Sequence, residues 1–251
     1  MEKIRSNRRI FTEGKFEGDA ILFQKVARVP SRRAYLRYFT FVAAVFLCRT
    51  VFGAEPEPFA SSPPDNGPAY SLTVFGGVAT DTNFTQTFYE PWTVNFVDIQ
   101  FAGAAFSTRL GTLNDAVGAL GWDWGSFGDD IKIDPEIGVG ARFGDGNIGE
   151  VWGALYFRYD NLPWNDTVYT TFAIDTGLSL LSAKSEFEDS RSDTGTSQLL
   201  HYFSPEVTFA DPDYKDIELV FRLHHRSGIF GLMDGVTTGS SFVTMGMRVR
   251  F

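Results

Sequence analysis

The sequence predicts an all-β chain that closes into an eight-stranded antiparallel transmembrane β-barrel. Beyond residue 69, apolar and polar residues alternate with a period of two in segment after segment, and the polar positions often carry charges. The sequence contains no apolar run of 18 residues, which excludes a helical membrane protein. The N-terminal segment has the order of features typical of an exported protein. An exported chain with this alternation favours a membrane barrel over a soluble sandwich.

Residues 1–54 differ from the rest of the chain in charge. They hold 11 of the 22 Lys and Arg residues but four of the 31 acidic residues, a formal charge of about +7, so the remainder carries −16. Three arginines, Arg32, Arg33 and Arg37, precede an apolar run over residues 38–47, and the small pair Gly53-Ala54 follows. This order predicts a secretory signal peptide over residues 1–54, cleaved after Gly53 or Ala54.

Two further expectations concern the same segment. Since no Met lies between Met1 and Met233, and the basic region is long for a signal peptide, we expect translation to start nearer Arg32. The single cysteine, Cys48, is expected to leave with the signal, so the exported chain has no disulfides and no cysteine nucleophile. The acidic remainder argues against nucleic acid as a partner.

The exported chain divides into a Pro-rich leader over residues 55–68 and a barrel over residues 69–251. We expect the apolar residues of each strand to face lipid and the intervening residues to face the lumen. The predicted outward positions, strand by strand, are Tyr70, Leu72, Val74, Val78; Val97, Ile99, Phe101; Ile131, Ile133, Ile137, Val139, Ala141, Phe143; Val151, Leu155, Phe157, Tyr159; Val168, Thr170, Phe172, Ile174; Leu199, Phe203, Val207, Phe209; Ile217, Leu219, Phe221, Leu223; and Val243, Met245, Met247, Val249, Phe251.

The charged residues on the second face are expected to pair inside the barrel. They are Glu136, Arg142, Arg158, Asp175, Glu206, Glu218, Arg222, Arg248 and Arg250. An eight-stranded interior is filled by side chains, which excludes a wide pore. Four glycines, Gly138, Gly140, Gly153 and Gly177, are expected to relieve crowding between strands.

The connections are expected to differ on the two sides of the membrane. Residues 159–166 and 210–216 are short turns for the periplasmic side, and the longer segment 182–197 lies outside, with residues 186–193 as a solvated acidic loop. Residues 109–130 are too long for a periplasmic turn, so strands two and three are predicted to extend into them. Trp122 and Trp124 would then anchor the membrane interface.

The candidate catalytic residues lie at the end of the seventh strand. Continued alternation places His225 and Ser227 on the lipid-facing side, where polar groups cost free energy. A histidine beside a serine can act as a general base that activates the hydroxyl for attack on an ester. The alternative is that the strand leaves the membrane here and both are ordinary loop residues. His201 and His224 have no evident third ligand, so no metal site and no cofactor are expected.

These features together resemble the lipid A 3-O-deacylase (PagL) family of outer-membrane enzymes, or a close relative such as an acyloxyacyl hydrolase-like outer-membrane protein. The resemblance rests on His225-Arg-Ser227, the Gly-rich loop after it and the last strand ending Arg250-Phe251. It implies a bacterial outer-membrane esterase with Ser227 as nucleophile, His225 as base, and lipid A of the outer-leaflet lipopolysaccharide as substrate. The terminal Phe251 resembles the signal by which the barrel assembly machinery recognises such proteins.

The third catalytic position departs from the family. The family places a Glu about twelve residues after the Ser, where this chain has Gly239. Asp234 is the remaining carboxylate after Ser227 and is the candidate to orient His225; Glu206 and an unidentified group stay open. Backbone N–H groups of residues 228–235 are candidates to hold the oxyanion. The competing interpretation is a non-catalytic barrel with a structural or adhesive role.

Overall fold

A computed structural model describes residues 70–118 and 120–251; the predicted signal over residues 1–54 and leader over residues 55–68 lie outside the described residues. The eight barrel strands are β1 (Tyr70–Thr80), β2 (Phe96–Thr108), β3 (Ile131–Phe143), β4 (Ile148–Tyr159), β5 (Tyr169–Leu181), β6 in two pieces (Leu199–Phe203 and Glu206–Ala210), β7 (Ile217–Ser227) and β8 (Gly239–Arg250). Four short helices lie between them: α1 (Phe84–Tyr89), α2 (Leu113–Gly118), α3 (Gly125–Asp130) and α4 (Glu186–Asp189).

Every barrel strand pairs antiparallel with the next, and β8 pairs with β1 from Ser71↔Arg250 to Thr80↔Ser241. The predicted eight-stranded barrel is therefore closed. The break in β6 falls at Ser204 and Pro205, since proline has no N–H to donate to a neighbouring strand. Its carbonyl still accepts from the Leu223 N–H at 3.0 Å, so the wall stays continuous there.

The two ends of the barrel are distinct. Tyr70 and Phe251 exchange backbone hydrogen bonds of 3.0 and 2.9 Å, which places the first and last described residues together at what we call the termini end. Residues 109–130, 160–168 and 211–216 connect strands at this end, and residues 81–95, 144–147, 182–198 and 228–238 connect them at the opposite, loop end. No helix in the described part of the chain is long and apolar enough to cross a membrane.

The long connection over residues 109–130 extends the second strand only briefly, whereas the sequence predicts that both strands continue into it. Gly111 and Thr112 still pair with β3, and the connection then forms α2 and α3. The side chain of Asn114 holds the two helices together by donating to Gly125 O at 2.9 Å and to Asp129 Oδ1 at 2.8 Å. Both Trp122 and Trp124 are more than half exposed, as an interfacial position requires.

The outer wall is apolar, as alternation predicted for most strands. The exposed fraction is 65% for the side chain of Ile137 and 52% for that of Ile174. Each of the remaining six strands also carries exposed apolar side chains. Further exposed wall residues are Leu72, Val74, Phe106, Val139, Val151, Leu155, Phe172, Leu178, Leu180, Phe209, Ile217, Phe221, Val243 and Val249. A closed barrel with this surface has the exterior expected of a protein surrounded by lipid.

The predicted orientation of β2 is wrong. Ile99 and Phe101 are buried in the lumen, while Asp98 and Gln100 are exposed on the outside. Phe101 points inward because it belongs to an aromatic cluster: its ring lies 4.4 Å from that of His224 and 5.4 Å from that of Phe242. Apolar residues therefore do not mark the outer face where the lumen itself is aromatic.

An ionic cluster fills the lumen towards the termini end, as predicted. It contains five arginines and four carboxylates among the described residues: Arg109, Arg158, Arg222, Arg248 and Arg250 with Asp134, Glu136, Glu206 and Glu218. Glu206 lies at its centre and accepts from Arg158 at 3.1 Å, Arg222 at 2.7 Å and Arg248 at 2.8 Å. Asp175 departs from the expectation, since one of its oxygens accepts from the Ser204 N–H rather than from a cation.

A second ionic cluster lies towards the loop end and includes one residue of the acidic loop that the sequence predicts to be solvated. Glu186, Asp189 and Asp193 of that loop are exposed as expected, but Glu188 is not. Glu188 of α4 is fully buried, accepts from Arg142 Nη1 at 3.0 Å and lies 3.5 Å from Arg226 Nε. Arg142 also donates to Glu150, at 2.7 Å. The short helix α4 therefore closes this end of the lumen because its carboxylate neutralises arginines from the barrel wall.

An aromatic layer links the two ionic clusters. Its centre is His224, whose Nε2 lies 3.0 Å from Glu150 Oε1 and whose Nδ1 lies 3.0 Å from Tyr202 Oη. Trp152 packs against His224 and donates from its Nε1 to Glu136 at 2.9 Å. The other rings of the layer are Phe75, Phe101 and Phe242.

Two of the predicted glycines make room for this layer. A Cβ at Gly138 would lie 2.0 Å from Trp152 Cζ2, and one at Gly140 would lie 2.5 Å from Phe101 Cζ. At Gly177 the obstacle is the backbone, with Gly153 O at 2.1 Å. Gly153 does not relieve crowding as predicted, because a Cβ added there would lie 4.0 Å from the nearest atom, Glu136 O.

The glycines give a matched test of packing. We expect Gly138→Ala to lower the free energy of unfolding by about 1–3 kcal/mol, because its methyl group would displace the Trp152 ring. Gly153→Ala should change it little, since the site is open. Equilibrium urea unfolding in lipid vesicles, followed by tryptophan fluorescence, measures both, and equal effects of the two substitutions would contradict the packing described.

The ionic lumen gives a second test. Glu206→Gln leaves three buried arginines short of negative charge and should lower the free energy of unfolding by about 3–5 kcal/mol. Glu186→Gln, which changes an exposed carboxylate on α4, is the control and should leave the unfolding midpoint nearly unchanged. A midpoint for Glu206→Gln equal to that of the control would show that the cluster does not stabilise the barrel.

Candidate functional site on the outer wall

His225 and Ser227 lie on the outer face of β7 at the loop end, as alternation predicted. Their neighbours His224 and Arg226 are fully buried in the lumen. Both inward side chains are held there, His224 by Glu150 and Tyr202 and Arg226 by the carbonyls of residues 197 and 198. The lumen contacts therefore fix the outward direction of the candidate base and nucleophile.

Ser241 is the hydrogen-bond partner of His225. The two residues are directly opposite in the β7–β8 ladder, and Ser241 Oγ lies 2.9 Å from His225 Nδ1. Since a histidine ring has two nitrogens, this contact orients the ring and leaves Nε2 for another group. The group that orients His225 is therefore the hydroxyl of Ser241, whereas the sequence suggested a carboxylate.

A second histidine flanks Ser227. His201 of β6 is directly opposite Ser227, and Gly239 of β8 is opposite on the other side. Side chains opposite one another in an antiparallel pair have Cβ atoms about 4.5–5.5 Å apart, so His201 also comes close to the serine hydroxyl. The Nε2 atom of His201 lies 2.8 Å from Thr176 Oγ1. Ser227 therefore lies among two histidines, each oriented by a hydroxyl group.

The helix α1 covers this site from the outside. Its first residue, Phe84, lies with its ring 4.6 Å from that of His225 and 5.5 Å from that of Phe203. Asn83 caps the helix by accepting from the Gln86 N–H at 2.8 Å. The connection is further tied to the 182–198 loop, because Arg191 donates to the carbonyls of residues 80 and 81.

The outward side of this connection is aromatic. Phe88, Tyr89 and Trp92 are 52%, 71% and 80% exposed. Phe230 of the 228–238 loop is exposed to 95%. Large exposed aromatic side chains on both sides of the site are typical of a membrane interface.

The loop after Ser227 has a strained start. Ile229 and Phe230 both have positive φ, +49° and +56°, in a region that residues other than glycine rarely adopt and that is costly for a β-branched side chain. The Gly228 N–H donates to Thr238 O at 3.1 Å, so it is already used. Among the described backbone hydrogen bonds outside strands and helices, none uses the N–H of Ile229 or Phe230. These residues follow Ser227 and Gly228 in the chain, so their N–H groups are candidate donors to an oxyanion.

Asp234 lies in the same loop, exposed, with φ of +53°. Within residues 70–118 and 120–251, no hydrogen bond or ion pair joins its carboxylate to His225, whose partner is Ser241. Glu206, the other carboxylate considered, points into the lumen and is paired with arginines. The structure thus brings His225 and Ser227 to one face, adds Ser241 and His201, and leaves Asp234 apart from them.

Two residues of the site, Ser241 and Phe84, were not predicted from the sequence, and only the first could have been found from its pattern. Ser241 lies two residues before Val243 on the face already predicted to point outward, so extending the alternation by one step would have found it. Phe84 gave no signal, because its contact with His225 depends on how the 81–95 connection folds back over the wall. Among the described residues, no group of three or more His, Cys, Asp and Glu side chains is arranged to hold a metal ion.

Comparison with known proteins found similarity in structure alone. No family model and no curated protein matches the chain. Among solved structures, the outer-membrane enzyme PagL aligns with a TM-score of 0.46 and 11% identity over 71% of this chain and 98% of that chain. Neisserial surface protein A aligns with a TM-score of 0.42 and 10% identity, over 74% of this chain and 100% of that chain. Ail of Yersinia pestis aligns with a TM-score of 0.33 and 10% identity, over 74% of this chain and 99% of that chain. With scores below 0.5, these similarities carry no argument about function.

The cover over the site can be tested directly. Phe84→Ala removes the ring that packs on His225 and should raise the rate at which diethyl pyrocarbonate modifies His225, measured by peptide mass spectrometry. Tyr89→Ala, which removes an exposed ring of the same helix, should leave the rate unchanged. His224 should stay unmodified in both, because it is buried in the lumen. Equal His225 rates in the two variants would mean that α1 does not cover the site.

Proposed function

We propose that the chain is an esterase of the bacterial outer membrane that hydrolyses an ester-linked acyl chain of lipid A. The membrane location is supported by a closed barrel whose outside is apolar and whose lumen is ionic, since that surface would be costly in water. With the termini end in the periplasm, the loop end reaches the outer leaflet. His225 and Ser227 then lie on the outer wall at the level of the outer leaflet, with Phe84 of α1 packed on His225.

The reaction follows from the groups around Ser227. As the Ser227 Oγ atom attacks the ester carbonyl, His225 takes the hydroxyl proton and a tetrahedral oxyanion forms. The N–H groups of Ile229 and Phe230 are the donors assigned to this oxyanion. The C–O bond to the sugar then breaks, and His225 returns the proton to the departing oxygen. Water, deprotonated by His225, attacks the acyl-serine and releases the fatty acid and the free Ser227 hydroxyl.

The single observation that carries this proposal is the outward trio His225, Ser227 and Ser241. Three polar side chains lie together on the outer face of two neighbouring strands, below which the exposed residues of the same strands are apolar, and one of the three orients another at 2.9 Å. Polar groups facing lipid cost free energy, so a role in chemistry gives their position a reason. Lipid A is proposed as the substrate because His225-Arg-Ser227 resembles the lipid A 3-O-deacylase pattern.

A partner is proposed at the other end of the barrel. The ring of Phe251 is 60% exposed and lies 6.2 Å from that of Tyr70. An accessible terminal aromatic residue on the last strand is available to the barrel assembly machinery. Phe251 therefore serves assembly rather than catalysis in this proposal.

The second candidate function is a non-catalytic barrel with a structural or adhesive role. The observation that favours it is the hydroxyl partner of His225, because a carboxylate stabilises the protonated histidine of a serine hydrolase and a serine does not do so by charge. In this reading, the exposed aromatic loop residues hold the barrel in the outer leaflet or contact another surface.

Mass spectrometry of lipid A separates the two functions. Cells that express the wild-type chain should yield lipid A lacking one ester-linked acyl chain, and Ser227→Ala should abolish this, a loss of roughly 10³-fold or more. Ser190→Ala, in an exposed loop, is the matched control and should retain full activity. Intact lipid A with the folded wild-type barrel would refute the esterase and favour the non-catalytic role.

Two further variants assign the base and its orientation. His225→Asn should abolish hydrolysis, while Ser241→Ala should lower it about tenfold, the equivalent of one hydrogen bond. Ser241→Asp should raise it above wild type, because a carboxylate would stabilise the protonated ring. Loss of activity in His201→Asn with full activity in His225→Asn would show that the base is His201.

A further inference from the structure

Ser227 has a histidine on each side, and the two histidines present different ring nitrogens. The hydroxyl of Ser241 lies 2.9 Å from Nδ1 of His225, which leaves Nε2 of that ring free for Ser227. The hydroxyl of Thr176 lies 2.8 Å from Nε2 of His201, which leaves Nδ1 of that ring free. When Nε2 of His201 carries the proton and donates to Thr176, Nδ1 can accept a proton from another hydroxyl group. The proposed hydrolysis uses His225 alone, so His201 is a second base without a role.

Aromatic rings shield both histidines from water. The ring of Phe84 lies 4.6 Å from that of His225 and 5.5 Å from that of Phe203. Phe203 is also stacked with His201, at a ring distance of 6.5 Å. Ser227 is directly opposite His201 in the ladder, so it lies within this aromatic group. Exclusion of water from a site protects a reactive intermediate from hydrolysis.

The apolar wall continues past His201 towards the loop end. Leu199 of β6 lies two residues nearer that end than His201 and is directly opposite Leu180 of β5. Leu178 of β5 is directly opposite His201 itself. All three leucine side chains are close to half exposed on the outside of the barrel. His201 is therefore bordered by a surface that contacts lipid, where water is scarce.

This surrounding gives the acyl-serine a second acceptor besides water. A lipid that carries a free hydroxyl group reaches His201 along the exposed leucines without leaving the bilayer. Its hydroxyl group then competes with water for the acyl carbon, and the base nearest to it is His201 rather than His225. A water-poor site with a base on each side of its nucleophile therefore favours transfer from one lipid to another.

We propose that the site also transfers the acyl chain from Ser227 to the hydroxyl group of a second membrane lipid, with His201 as the base. This inference rests on the proposed esterase function, because it starts from the same acyl-serine. In the transfer, Nδ1 of His201 takes the proton of the acceptor hydroxyl, and the acceptor oxygen attacks the acyl carbon to form a new ester. The bond from that carbon to Ser227 Oγ breaks, and His201 passes the proton to the serine oxygen.

Mass spectrometry of labelled lipids tests the transfer. The full chain is folded into vesicles of phosphatidylcholine, which has no free hydroxyl group. The vesicles also contain lipid A with deuterated ester-linked acyl chains and monoacyl phosphatidylethanolamine as the acceptor. Transfer yields diacyl phosphatidylethanolamine with a deuterated chain, whereas hydrolysis yields deuterated free fatty acid. The wild-type chain should form more of the phospholipid than of the fatty acid, and Ser227→Ala should form neither.

The ratio of labelled phospholipid to labelled fatty acid assigns the base. His201→Asn removes it, and Thr176→Val removes the hydrogen bond that orients it, so each should lower the ratio by about tenfold or more. Phe84→Ala should lower the ratio by admitting water to the acyl-serine. Tyr89→Ala, which removes an exposed ring of the same helix, is the matched control and should leave the ratio unchanged.

The outcomes separate this inference from the proposed function. Labelled fatty acid without labelled phospholipid would overturn the transfer and leave the esterase standing. A wild-type ratio in both His201→Asn and Thr176→Val would also overturn it, since His201 would then not act on the acceptor. No labelled product of either kind from the folded wild-type barrel would refute the esterase, and the transfer with it.

Discussion

The rest of the structure depends on the pairing of charges in a narrow, closed lumen. Eight strands leave an interior that only side chains fill, so each inward charge must find its partner within the barrel. Glu206 joins three arginines at one end, and Glu188 brings α4 down onto Arg142 at the other. The aromatic layer around His224 connects the two clusters. These contacts fix the inward set of residues on every strand.

Fixing the inward set also fixes the outer wall. Because His224 and Arg226 are held by lumen partners, His225 and Ser227 must point outward, and the ladder then brings Ser241 and His201 beside them. The site is thus a consequence of lumen packing rather than of a separate local fold. The 81–95 connection adds a cover over His225, because the ring of Phe84 packs on the histidine ring.

Alternation alone predicted the eight strands, the paired lumen and the outward direction of His225 and Ser227, since a period of two is set by backbone geometry. It failed at β2, where the inward Ile99 and Phe101 belong to an aromatic lumen layer that no local pattern reveals. It also missed the buried Glu188 and the packing of Phe84, which depend on where connections fold after the barrel closes. Local periodicity thus predicts which face of the barrel wall a strand residue occupies. The contacts of loop residues become known only once the barrel is closed.

Site-directed spin labelling of β7 tests the central claim most directly, because the described residues contain no cysteine to compete for the label. Labels at Phe221→Cys and Ser227→Cys should collide with oxygen dissolved in the bilayer, and a label at the fully buried Val220→Cys should be shielded from it. Shielding at 221 and 227 with exposure at 220 would contradict the account, since the candidate site would then face the lumen.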